Sequence, residues 1–162
     1  MADQLRQGTG IIILTMLAAL VLTILPLPDA VQTLRPPWYA LVLIYWCFAL
    51  PERVGVGTGW LLGLMVDSLT GSLLGQHALA LSLVAYLSIT LHLRIRIFPL
   101  WQQSLTVLVL LSVERLLSLW INGAIGRPTP PLEYWVPALV GMFLWPWVFV
   151  ILRDLRRRFR IS

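Results

Sequence analysis

Little in this chain is charged. Only 12% of its 162 residues are Asp, Glu, Lys or Arg, and lysine is absent, so every basic side chain is an arginine. A soluble domain is about a quarter charged and close to half apolar. Here 59% is hydrophobic and the mean hydropathy is +0.85. That leaves no room for a soluble domain between the apolar runs, and one integral membrane domain is expected. The single cysteine, Cys47, excludes an intramolecular disulfide and any multi-cysteine metal site. Inside an apolar run it reads as a small buried hydrophobe. Histidine is scarce too. His77 and His92 stand near opposite ends of one run, about 22 Å apart along a helix, too far to chelate one metal, and each reads as an interfacial residue. No His-rich or carboxylate cluster has zinc or calcium spacing, and no Ser-His-Asp arrangement can be assembled. No cofactor, metal ligand or catalytic residue is expected.

What the chain does have is apolar runs of membrane length. A spanning helix needs about 20 mostly apolar residues. Six candidates cover residues 9–25, 38–50, 54–74, 77–93, 100–121 and 134–152, before a short basic tail, 153–162. Pro26 and Pro28 end the first. That run closes on Pro-Leu-Pro-Asp rather than a small-x-small cleavage site, so it reads as an uncleaved span. The second is short and can borrow Pro36 and Pro37, since proline suits a first helical turn. Residues 122–131 are rich in turn formers.

Arginine placement orients the six spans. With the N-terminus inside, the inside segments hold Arg6, Arg53, Arg94, Arg96, Arg153, Arg156, Arg157, Arg158 and Arg160, against Arg35 and Arg127 outside. That is a strong positive-inside bias, and it predicts both termini in the cytoplasm. A five-span arrangement, dropping or merging the short second run, would put the N-terminus outside. The net charge of +5 is better explained by orientation than by nucleic acid, which is not an expected partner. Most of the eight tryptophans fall near span ends, as interfacial anchors do.

Asp67, Glu114 and Arg115 lie within the spans, where an ionisable group costs about 2.5–3.5 kcal/mol on insertion scales. They mark a candidate intramembrane polar site or helix lock. Asp67 opens D-S-L-T-G-S-L-L-G. Its glycines, Gly71 and Gly75, allow close packing or a helix break, and the aspartate can accept hydrogen bonds from amides freed there. A structural lock, a partner contact and a ligand or proton site remain open for it. Glu114 and Arg115 point about 100° apart on a helix, and Asp67 with Arg115 is the expected cross-helix pair. The glycines of VGVGTGWLLG superficially match a nucleotide loop, but no strand precedes them, so close helix packing is expected. Arg156, Arg157, Arg158 and Arg160 are expected to meet phospholipid headgroups or a cytoplasmic protein.

RPPWYALVLIYWCFALPERVGVGTGWLLGLMVDSLTGSLLG, residues 35–75, resembles the rod shape-determining protein MreD family of Gram-negative bacteria. FLWPWVFVILRDLRR, residues 143–157, does so as well, and with length, span pattern and basic tail the resemblance covers essentially the whole chain. Its specific pieces are Arg35-Pro36-x-Trp38, the stretch from Leu50 to Gly59, Asp67 to Gly75, and Leu-Trp145-Pro146-Trp. Glu114-Arg115 and residues 121–133 are less characteristic. The resemblance implies a six-helix, all-α membrane bundle similar to the substrate-binding subunits of energy-coupling-factor vitamin transporters. It implies a non-enzymatic inner-membrane scaffold of the cell-elongation complex. Its partners would be MreC, through a transmembrane helix, RodA with its class B penicillin-binding transpeptidase, and MreB at the cytoplasmic face. A rival expectation is a small-molecule or lipid-binding protein with a pocket between helices. An enzyme acting on lipid is the weakest, since no nucleophile and base pair is visible.

Overall fold

The structure, a computed structural model, describes residues 2–26, 28–29, 34–71, 73–128 and 132–161. Residues 129–131 of the expected turn segment and Ser72 of the Asp67–Gly75 motif lie outside the described residues. The described chain contains six α-helices: α1 (Ala2–Ile24), α2 (Trp38–Ala49), α3 (Val56–Thr70), α4 (Gln76–Ile95), α5 (Leu100–Ala124) and α6 (Val136–Arg158). One 3-10 turn, Leu132–Trp135, leads into α6.

The helix α1 begins seven residues ahead of the expected span. Asp3 favours the positive end of the helix dipole, and Gln4 to Gln7 are good helix formers. At the other end of the chain, α6 runs on through the basic tail expected from 153, as far as Arg158. Charge ends a membrane span but not a helix. Arg160, at φ 50°, turns the chain. The Ile161 amide then donates to the Arg156 carbonyl at 3.0 Å, and the Ile161 side chain is buried near Gly8 of α1.

The centre of the bundle is its shortest helix. In α2 every residue from Tyr39 to Ala49 is buried. A helix apolar on all sides needs neighbours on all sides, and α1, α4, α5 and α6 supply them. Its 12 residues reach about 18 Å, well short of a hydrocarbon core of about 30 Å. The 15-residue α3 is also short. Among the described residues, four helical stretches are long and apolar enough to cross a membrane: α1, α4, α5 and Glu133–Arg158. The protein is a multi-pass, all-α membrane protein.

The most extensive helix pair is α3 with α4. A Cβ at Gly59 would stand 2.8 Å from the Leu81 carbonyl oxygen, and one at Gly63 would run into the Ala78 backbone. These two glycines, one helical turn apart, let the backbones touch, as small residues do in membrane bundles.

Two tryptophans are core rather than interfacial. Trp46 and Trp145 are fully buried. The Trp46 indole donates to Thr15 Oγ1 at 2.9 Å and that of Trp145 to Gln103 Oε1 at 3.3 Å. Trp60, Trp101, Trp120 and Trp147 are exposed.

The two ends of the bundle differ in charge. Gly8 of α1 faces Arg53 of the α2–α3 connection and Ile161 beyond α6. Arg96 at the close of α4 donates to the Phe48 and Ala49 carbonyls at the close of α2. The start of α1, the ends of α2, α4 and α6 and the start of α5 therefore share one end, with all the arginines expected inside. Arg35 and Arg127 belong to the other.

Candidate functional site

At the arginine-poor end, three ionisable side chains converge from α3, α4 and α5. Asp67 is 1% exposed and lies in the last turn of α3. Gly71, at φ 70°, stops that helix; Gly75, at φ 98°, precedes α4. The first amides of α4 have no partner within their own helix, and Gly75 offers no side chain to cap them. Asp67 reaches across the turn and accepts from them. Oδ2 takes the Gly75 amide at 2.9 Å and the Ala78 amide at 3.4 Å, and Oδ1 takes the His77 amide at 3.0 Å. His77 Nδ1 also lies 2.7 Å from Oδ1. A carboxylate at a helix N-terminus also gains from the macrodipole, up to ~2 kcal/mol where partly buried.

His77 turns its other nitrogen toward α5. Nε2 lies 3.8 Å from Glu114 Oε1, so the imidazole stands between two carboxylates. Glu114 is 1% exposed. Its Oε1 accepts from the Tyr39 hydroxyl at 3.2 Å, whereas Oε2 makes no hydrogen bond among the described residues. The Tyr39 ring meets His77 edge-on at 5.9 Å. Arg115 Nε is 3.9 Å from Glu114 Oε2, and its guanidinium lies 5.0 Å over the Tyr134 ring. Tyr134 in turn donates to the Arg115 carbonyl at 2.9 Å. One polar cluster thus ties α2, α3, α4, α5 and the turn before α6.

The expected Asp67–Arg115 pair is replaced by Asp67–His77–Glu114, while Arg115 pairs weakly with its own neighbour and stacks on Tyr134. His77, expected at the interface, is the centre of the cluster. An end-of-span histidine looks interfacial in sequence because its position relative to a neighbouring helix end is not visible there. Gly71 and Gly75 are open on their Cβ sides. They serve as left-handed breaks, not as close-packing sites. Tyr39 carried no polar signal in an apolar run. Among the described residues, no group of three or more His, Cys, Asp or Glu is arranged to hold a metal ion. Chemically the cluster can cap a buried helix end, hold charge and fix helix register.

The same device recurs elsewhere. Arg35 donates to the carbonyl of Thr23 at 2.5 Å and to that of Leu25, capping α1. Gln103 donates to the carbonyls of Ile95 and Phe98, capping α4. Trp38 opens α2 after Pro36 and Pro37. Trp145 packs on Tyr45, Phe48 and Phe149, and Pro146 sits inside α6.

The family described as rod shape-determining protein MreD matches residues 5–155 of this chain. The chain belongs to the MreD family. A relative from Haemophilus influenzae, named rod shape-determining protein MreD, is 38% identical over 143 residues, covering 88% of each chain. No solved structure matches. As a member of the MreD family, the protein has a role in determining rod shape. The capped helix ends, with Arg35 on α1 and Asp67 on α4, belong to the segment that carries the MreD resemblance most specifically.

Proposed function

We propose that this MreD family member is a non-enzymatic scaffold of the bacterial cell-elongation complex. It sits in the inner membrane with both termini in the cytoplasm. It receives the transmembrane helix of MreC and helps position or regulate RodA and its class B penicillin-binding transpeptidase, with MreB at the cytoplasmic face. One observation carries this reading: an apolar groove of about 840 Å³ between α1 and α3. These helices meet only loosely. Between them Leu17, Val21, Leu61 and Met65 are exposed. The single hydroxyl in the groove, Ser68, is already spent on the Leu64 carbonyl at 2.9 Å. A surface of this kind suits a helix with an apolar face, since membrane helices associate through packing. With almost no mass outside the bundle, contacts of this kind are the means a scaffold has.

Filling the groove tests the assignment. Ser68→Trp should leave the protein at normal level in the membrane but reduce MreC recovered with it, and cells should round up. Full recovery of MreC with normal shape would remove the groove from the account. A second reading, a protein that binds a small molecule or lipid between helices as vitamin-transporter subunits do, is favoured by a separate cavity at the opposite, arginine-rich end.

A further inference from the structure

That cavity, of about 320 Å³, lies where the ends of α2, α4 and α6 meet the start of α5. Arg96, Arg153 and Arg156 line it, and no carboxylate does. Three guanidinium groups in one small cavity repel one another unless something negative joins them. Their own partners do not suffice. Arg96 spends two of its donors on the carbonyls of Phe48 and Ala49, at 3.2 and 2.8 Å, which fixes it in place. The Arg153 guanidinium lies over Phe149, 5.6 Å from the ring centre. Its nearest carboxylate oxygen is Asp154 Oδ1, 3.9 Å from Nε, and that buried Nε makes no hydrogen bond among the described residues. Tyr45, itself buried, also lines the cavity. The cavity's Gln103 is committed elsewhere, to Trp145 and two carbonyls.

The rest of the lining is apolar: Phe48, Ala49, Ile95 and Phe149. The seam between α5 and α6 then carries a second groove, of about 500 Å³, with Trp101, Leu105, Phe143 and Pro146 along it. Its Ser104 follows the cavity's Gln103 on α5, and its Pro146 precedes the cavity's Phe149 by about one turn on α6. A cationic cavity at the membrane edge, next to an apolar lane down the bundle, matches a molecule with a phosphate at one end and a hydrocarbon chain at the other. Guanidinium groups suit phosphate because their planar fork bonds two oxygens at once, and basic pockets between membrane helices bind lipid headgroups.

We propose that Arg96, Arg153 and Arg156 form a built site for the phosphate of an anionic phospholipid, whose acyl chain lies along the α5–α6 seam. This differs from a general attraction of the basic tail to headgroups, because Arg157 and Arg158 carry the same charge and do not line the cavity.

The test titrates the full chain, in non-ionic detergent, with phosphatidylglycerol and counts bound lipid by native mass spectrometry. One phosphatidylglycerol should bind saturably. Arg153→Gln with Arg156→Gln should weaken it about tenfold more than Arg157→Gln with Arg158→Gln, which removes equal charge. If the double variant fails to fold, Arg156→Glu against Arg157→Glu makes the same comparison. Equal loss in both pairs would overturn the site. So would phosphatidylcholine binding as tightly as phosphatidylglycerol. Inorganic phosphate that binds as well and displaces the lipid would show a free-anion site and overturn the lipid assignment.

Discussion

The first-turn amides of α4 would be solvated in a soluble protein; at membrane depth they need an acceptor from the chain, and Asp67 supplies it. An unsatisfied backbone group there costs several kcal/mol. Asp67→Ala should therefore lower thermal stability in detergent by at least about 1–3 kcal/mol. Asp67→Asn, which keeps one acceptor oxygen, should cost less, and Leu69→Ala, at an exposed position, should cost little. Equal melting of all three variants would show that the carboxylate does not hold the helix end. The presence of a buried acid was legible in sequence, and so was the chance that it accepts freed amides. Its partner was not. His77 is ten residues on in sequence, past a turn whose geometry depends on two left-handed glycines, and only that turn brings the imidazole back onto the carboxylate.

At the scale of the element, two pairs of glycines with the same spacing do different work. Gly59 and Gly63 lie within α3 and touch α4, whereas Gly71 and Gly75 bracket the turn with positive φ and open space at their Cβ positions. Spacing alone does not separate these cases, and neither does the apolar run, since Gly71 lies within residues 54–74; the left-handed backbone where α3 ends does. Alanine at Gly71 or Gly75 should cost about 1–2 kcal/mol, the strain of a left-handed residue. Leucine there should cost about the same, because nothing stands in its way. At Gly63 even alanine meets backbone, and leucine should prevent accumulation, while Gly57→Leu, with open space, should be tolerated. Membrane protein level and melting temperature check both halves. A larger penalty for leucine than alanine at Gly71 would reveal a neighbour that this packing lacks. Helix positions themselves were largely legible, because prolines and glycines punctuate the apolar runs. What hydropathy missed was that α2 is enclosed: a helix buried in protein and one facing lipid have the same composition.

The whole molecule is a charge-polarised bundle around a short central helix, with a groove on one flank and an arginine-lined cavity at one end. Its polarity predicts topology. A fluorescent protein fused after Ser162 should fluoresce in the cytoplasm, and a phosphatase inserted after Arg127 should be active outside it. A phosphatase active at the C-terminus would invert the orientation argued from arginine placement. The arginine asymmetry was legible in sequence because it needs only order along the chain. The groove and the cavity were not, because each is made by helices distant in sequence whose packing sets the space between them. The measurement that bears most directly on the scaffold account is photocrosslinking in living cells, with the reactive residue at Leu17, Val21, Leu61 or Met65 in the α1–α3 groove and at Leu105 or Phe143 on the α5–α6 seam. The account predicts an MreC adduct from the groove positions and none from the seam. MreC adducts from the seam alone, or from neither, would contradict it.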